Sequence, residues 1–126
     1  MAAASATQLT DVSTIAANVV DSVVTVNVAI DVRGRGELTG SGSGIIVDSV
    51  GTVVTNAHVV RGGDRFEVTL ADNTTWAAEM VGADPDKDIA VLKLEGAGTF
   101  TPLKFGDSDK VEVGQLVFAL GNPFGL

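Results

Sequence analysis

The sequence predicts an all-β domain, a small antiparallel barrel or sandwich preceded by one short helix. Three observations point there. Runs of β-branched residues recur at short, even intervals. Within most of them the side-chain period is two. Gly, Asp and Asn punctuate the gaps between them.

The elements can be taken in order. "DVSTIAANVV" places Val12, Ile15, Ala16, Val19 and Val20 at helical spacing, with Thr10 or Asp11 as the N-cap. The period then changes. Val24, Val26, Val28 and Ile30 alternate with Thr25, Asn27, Ala29 and Asp31, the pattern of a half-buried strand. "RGRGELTGSGSG", from Arg33 to Gly44, reads as a Gly-rich connection. Ile45 to Val47 and Thr52 to Thr55 are short β-branched runs joined by "DSVG", a hairpin signal. Phe66, Val68 and Leu70 alternate with polar or small neighbours. Asp72 and Asn73 then make a tight turn, because both tolerate positive φ. Thr75 to Gly82 and Ile89 to Leu94 complete a set of six. Trp76 alternates with Ala78 and Met80, which predicts a structural aromatic in the core. Gln115 to Leu120 forms a seventh apolar run after a long loop.

Composition excludes several functions. The chain has 126 residues, of which 45% are hydrophobic, enough for one domain with a substantial core. The net charge is −8, which argues against nucleic acid, whose phosphates require a basic footprint, and against anionic membrane surfaces. There are no cysteines and one histidine, so neither a disulfide framework nor a structural zinc site is expected, and no metal or cofactor is implied. No apolar run approaches the roughly 18 residues that span a bilayer. The opening "MAAASATQLTD" lacks a basic region and a long apolar core, so it does not read as an intact signal peptide.

The one histidine, His58, lies in "SGSGIIVDSVGTVVTNAHVV", directly after a strand. A lone histidine at a strand end can be a locally bonded packing residue. Here a second feature accompanies it. In "ADPDKDIAVLKL", Asp88 stands at the mouth of an apolar strand, where an ionised carboxylate needs a partner. A His followed by an Asp, with a serine last, is one of the chain orders in which a nucleophilic triad occurs. An imidazole takes a hydroxyl proton near neutral pH, and a carboxylate on its other nitrogen fixes the tautomer and stabilises the imidazolium.

"GSGIIVDSVGTVVTNAHVV", "DPDKDIAVLKL" and "PLKFGDSDKVEVGQLVFALGNPFGL" together resemble the HtrA/Deg family of trypsin-like serine proteases. The resemblance runs from about Val12 to Leu126. It implies a six-stranded antiparallel β-barrel, the first of the two barrels of a trypsin-like catalytic domain. It also implies His58 as general base and Asp88 as the carboxylate that orients it. Asp84 and Asp86 share the acidic loop but miss the motif position, and they read as solvated carboxylates.

The family's nucleophile lies in a Gly-Asn-Ser-Gly-Gly motif, which this sequence does not contain. Ser41 and Ser43 precede His58, the wrong side for this order. Ser108 has Gly-Asp before it, but Asp109 and Lys110 replace the two glycines that would free oxyanion-hole amides.

The resemblance therefore implies an organisation. Residues 1–11 are a disordered or appended N-terminus, 12–104 the barrel, and 105–126 a crossover with the opening strand of a second barrel. The serine, the oxyanion hole and the specificity pocket are expected in the second barrel, and the PDZ domain common in the family has no counterpart among these motifs. The chain alone is expected to be inactive, and the parent to act outside the cytoplasm on unfolded or misfolded proteins. The apolar run 115–120 and the bare barrel face are expected to drive dimerisation. The alternatives are a non-catalytic barrel serving as an interaction module, and a generic β-sandwich with an incidental histidine.

Overall fold

A computed structural model of the chain describes residues 12–121. A nine-residue helix, α1 (Val12–Val20), leads into six strands: β1 (Val23–Val32), β2 (Gly36–Ile46), β3 (Thr52–Thr55), β4 (Arg65–Thr69), β5 (Thr75–Asp84) and β6 (Ile89–Leu94). A one-turn helix, α2 (Ala57–Val60), follows β3, and a short 3-10 turn spans Ser108–Lys110. The strands close into an antiparallel barrel in the order β1-β2-β3-β6-β5-β4. The fold class read from the sequence is thus the one observed. The segment 1–11, with the expected N-cap of α1, lies outside the described residues.

Alternation explains the interior. On β1, Val24, Val26 and Val28 are each no more than 3% exposed, and they meet Val68 of β4, Ile46 and Val53 of β2 and β3, and Leu92 and Leu94 of β6 in one cluster. β1 pairs with β2 along one edge and β4 along the other, which closes the barrel and removes free sheet edges.

The Gly-rich stretch is the first correction. Gly36–Ile46 is an eleven-residue strand rather than a connection; the loop proper is a tight turn after Val32, with Gly34 and Gly36 at positive φ. Continuous pairing with β1 along Gly36 to Ile45, joined by β3 at Gly44 to Ile46, overrides the weak strand propensity of glycine. Two of the glycines are small for a packing reason: Gly42 lies under Val59, and a Cβ at Gly44 would fall 3.0–3.1 Å from Val53, Val26 and the carbonyl of Val54. The β2–β3 hairpin is held by Asp48, whose Oδ1 accepts the N–H groups of Val50 (3.1 Å) and Thr52 (2.9 Å). A register shift between Met80 and Gly82 extrudes Val81 from β5, a bulge that lets the strand bend around the barrel. Asn73 takes positive φ (66°), as the turn chemistry predicts, while Asp72 caps the turn by accepting from Thr74 N–H (3.0 Å).

Trp76 is half-buried, packed edge-on against Phe100 (centroids 5.0 Å apart) over one end of the core. Its Nε1 donates to Thr74 Oγ1 at 3.2 Å. This is a structural role.

The second correction concerns Gln115–Leu120, which forms no strand. A strand needs a ladder partner, and among the described residues none runs beside it. The segment instead lies over the apolar side of α1. There Val117, Phe118 and Leu120 share a groove with Ile15, Val19 and Leu103.

Leu92, fully buried at the centre of the cluster, supplies a direct check. Leu92→Ala should cost roughly 2–5 kcal/mol in denaturant unfolding, and a loss under about 1 kcal/mol would put it outside the core.

Candidate active site

The site grows from the paired ends of β3 and β6. These strands run antiparallel with Thr55 opposite Ala90. The residues just past the end of β3 therefore face those just before β6, although thirty positions separate them in sequence. Thr55 is buried, and its Oγ1 donates to the carbonyl of Ser43 at 2.7 Å, fixing where β3 stops. The chain then turns into α2. Ala57 and Val60 are buried and seat this turn on the barrel, and His58 projects from the outer side with its side chain 63% exposed. Val59 rests over β2 at Gly42, where any Cβ would come within 2.6 Å of its side chain.

Asp88 sits one residue before β6, at φ +56°. Its carboxylate makes two bonds to one residue. Oδ2 lies 2.7 Å from His58 Nδ1, and Oδ1 accepts the backbone N–H of His58 at 2.8 Å. Two acceptors on one rigid carboxylate fix both the ring and the backbone that carries it. The bonds also favour the charged form: the backbone N–H of His58, then its ring, hold the Asp88 carboxyl below its ordinary value of 3.8. The ring nitrogen that faces Asp88 is set as a donor, which leaves Nε2 as the atom able to accept a proton.

The sequence-derived candidates separate cleanly in space. His58 and Asp88 come together. Asp84 and Asp86 do not join them. Asp84 Oδ1 instead accepts the N–H of Asp86 (3.1 Å), closing the turn before β6. Ser41 and Ser43 lie within β2, and Ser108 lies on the exposed 3-10 turn. Among the described residues no group of His, Cys, Asp and Glu could hold a metal ion.

Sequence reasoning missed α2, which is too short for a periodic signal, and it missed Asn56. The Nδ2 of Asn56 donates to the backbone carbonyl of Asp88 at 3.2 Å. The sequence hint was its place two residues before His58, within the "TNAHVV" stretch that carries the resemblance, with no role assigned to it.

A barrel of this order with a His–Asp pair at neighbouring strand ends is what the trypsin-like class of peptidase would present. The model of the trypsin-like peptidase domain family matches residues 42–126, well over half of the chain, and the chain belongs to that family. Among curated proteins it is similar to Protease Do-like 1, chloroplastic, of Arabidopsis thaliana, with 52% identity over 88 residues, 69% of this chain and 20% of the relative. It is also similar to a probable periplasmic serine protease do/HhoA-like of Haemophilus influenzae, 47% identical over 98 residues (74% of this chain, 21% of the relative). A third is a probable periplasmic serine endoprotease DegP-like of Brucella suis, 50% identical over 86 residues (68% and 17%). The HtrA/Deg resemblance is thereby borne out, and the chain spans about a fifth of the length of these relatives.

The carboxylates give a pH prediction. Asp88, Asp48 and Asp72 are all held below 3.8 by hydrogen bonds to their charged forms, chiefly from His58 for Asp88, Thr52 for Asp48 and Thr74 for Asp72. A carboxyl depressed in the folded state stabilises it above the unfolded pKa, and that stability is lost as pH falls through the folded value. Unfolding midpoints should therefore hold steady near neutrality and decline below about pH 4. Asp88→Asn should flatten part of that acid decline.

Proposed function

We propose that His58 and Asp88 are the general base and orienting carboxylate of a serine-type peptidase site of the HtrA/Deg kind. The nucleophilic serine and oxyanion hole come from a second barrel outside these 126 residues. The observation that carries the reading is the carboxylate of Asp88 bridging Nδ1 and the backbone N–H of the only histidine.

In this reading, the serine Oγ proton passes to Nε2 of His58 as Oγ attacks the scissile carbonyl carbon. Asp88 keeps its own charge throughout. It holds Nδ1–H in place and stabilises the imidazolium that forms. His58 then delivers that proton to the leaving amine, and an acyl-enzyme remains for water to cleave by the same steps. The exposure of the ring leaves room for the serine to arrive from beyond the barrel.

The names of the relatives support a protease acting outside the cytoplasm. They are proteases, two of them named as periplasmic. For the parent of this chain we take the substrates to be unfolded or misfolded proteins and the location to be extracytoplasmic. Neither nucleic acid nor a metal has a part in this reading. The C-terminal segment shows several exposed apolar residues, among them Val113, Val117 and Phe118. A surface of that kind supports association with another apolar face, here a second copy. Light scattering at micromolar concentration should show a dimer that reverts to monomer when residues 112–126 are removed. An unchanged mass would exclude it.

The chain by itself should neither hydrolyse an unfolded protein nor react with a fluorophosphonate probe; stoichiometric labelling of any serine would contradict the assignment. In a longer form that carries the Gly-Asn-Ser-Gly-Gly segment, Asp88→Asn should lower kcat by roughly 10⁴-fold with little change in KM.

A further inference from the structure

An asparagine at a helix N-cap ordinarily turns its side-chain oxygen back to the N–H of the second or third helical residue. Asn56 occupies the N-cap of α2 with extended backbone (φ −88°, ψ 142°) and makes no such bond. The N–H it would have served, that of His58, is bonded to Asp88 Oδ1 at 2.8 Å. The amide of Asn56 points across the gap instead, and its Nδ2 donates to the Asp88 carbonyl at 3.2 Å. The two residues have exchanged duties. A carboxylate 32 positions away in the chain caps the helix, and the cap residue holds the main chain of the carboxylate's owner.

The exchange matters because of how Asp88 stands. Its φ of +56° is left-handed, a conformation that Asp enters more readily than most residues with a Cβ but that still needs its polar groups satisfied to persist. Each polar group of Asp88 is engaged. Its N–H reaches the Pro85 carbonyl at 3.2 Å, its carbonyl takes Asn56, and its carboxylate takes His58. Beyond the last ladder pair, Thr55 with Ala90, the Asn56 bond ties the Asp88 carbonyl to the strand end that leads to His58. Ser or Thr would cap a helix about as well, but neither extends an amide donor far enough to reach that carbonyl.

We infer that Asn56 is a positioning residue: it locks Asp88 in the left-handed conformation from which the carboxylate bridges His58. The inference rests on reading His58 and Asp88 as base and orienter, and it names the part that keeps them aligned.

The test uses the full 126-residue chain, isotope-labelled, with Asn56→Ser and Asn56→Thr. Two quantities are followed by NMR: hydrogen exchange of the His58 backbone N–H, and titration of the Asp88 carboxyl carbon. In both variants the His58 N–H should exchange roughly tenfold faster, the scale of one weakened hydrogen bond. The Asp88 carboxyl should titrate higher, toward its ordinary value. The methyl signals of Val26, Val68 and Leu92 should stay in place, showing an intact barrel. A residue that serves only as a cap would leave both readouts unchanged in these cap-competent variants, and that result would overturn the proposal. So would collapse of the methyl spectrum in both, which would make Asn56 a folding residue. An unprotected His58 N–H in the unsubstituted chain, with Asp88 titrating normally, would instead defeat the base–orienter reading itself and the lock with it.

Discussion

The pairing of β3 with β6 is the constraint on which the site depends. With Thr55 opposite Ala90, the chain leaving β3 and the chain entering β6 must run side by side. Register in a half-buried barrel is strongly enforced, because a one-residue slip would turn every core side chain outward. Val53, Ala90 and Leu92, all fully buried, are the residues that such a slip would expose. Hydrophobic packing on these strands therefore sets the separation of two polar side chains that take no part in the core.

Packing brings the backbones together, and polar chemistry completes the arrangement. One carboxylate satisfies both the ring and the backbone N–H of His58, so ring orientation and helix start are set by the same group. That economy lets a helix of a single turn hold the His58 ring in one orientation. A helix so short has little intrinsic stability. It stands here because Ala57 and Val60 are buried beneath it, Gly42 leaves room for Val59, and Asp88 caps it from outside. The exposed ring is thus mounted on a rigid base, as the proposed role in proton transfer requires.

Much of this was legible in the sequence, for identifiable reasons. Period-two alternation at Val24, Val26 and Val28 marks the buried face of β1 because strands alternate their side chains. Asp88 beside Ile89–Leu94 stood out because a carboxylate at an apolar strand must be paired. Besides the role of Asn56, three elements were not legible. The strand Gly36–Ile46 hides behind its glycines, and at Gly42 and Gly44 the small residue serves close packing, a property of neighbours distant in sequence. Helix α2 is shorter than any periodic signal. Gln115–Leu120 has the composition of a strand, but a strand is defined by a partner, and composition says nothing of whether one is at hand.

The central claim is that the barrel presents His58 with Nδ1 committed to Asp88 and Nε2 open. Nitrogen NMR of the single histidine tests this directly, since the chain offers one imidazole and no overlap. The account predicts, near neutral pH, a hydrogen on Nδ1 that exchanges slowly with water and loses that protection in Asp88→Ala. A neutral ring carrying its hydrogen on Nε2, or an Nδ1 hydrogen indifferent to Asp88, would contradict it.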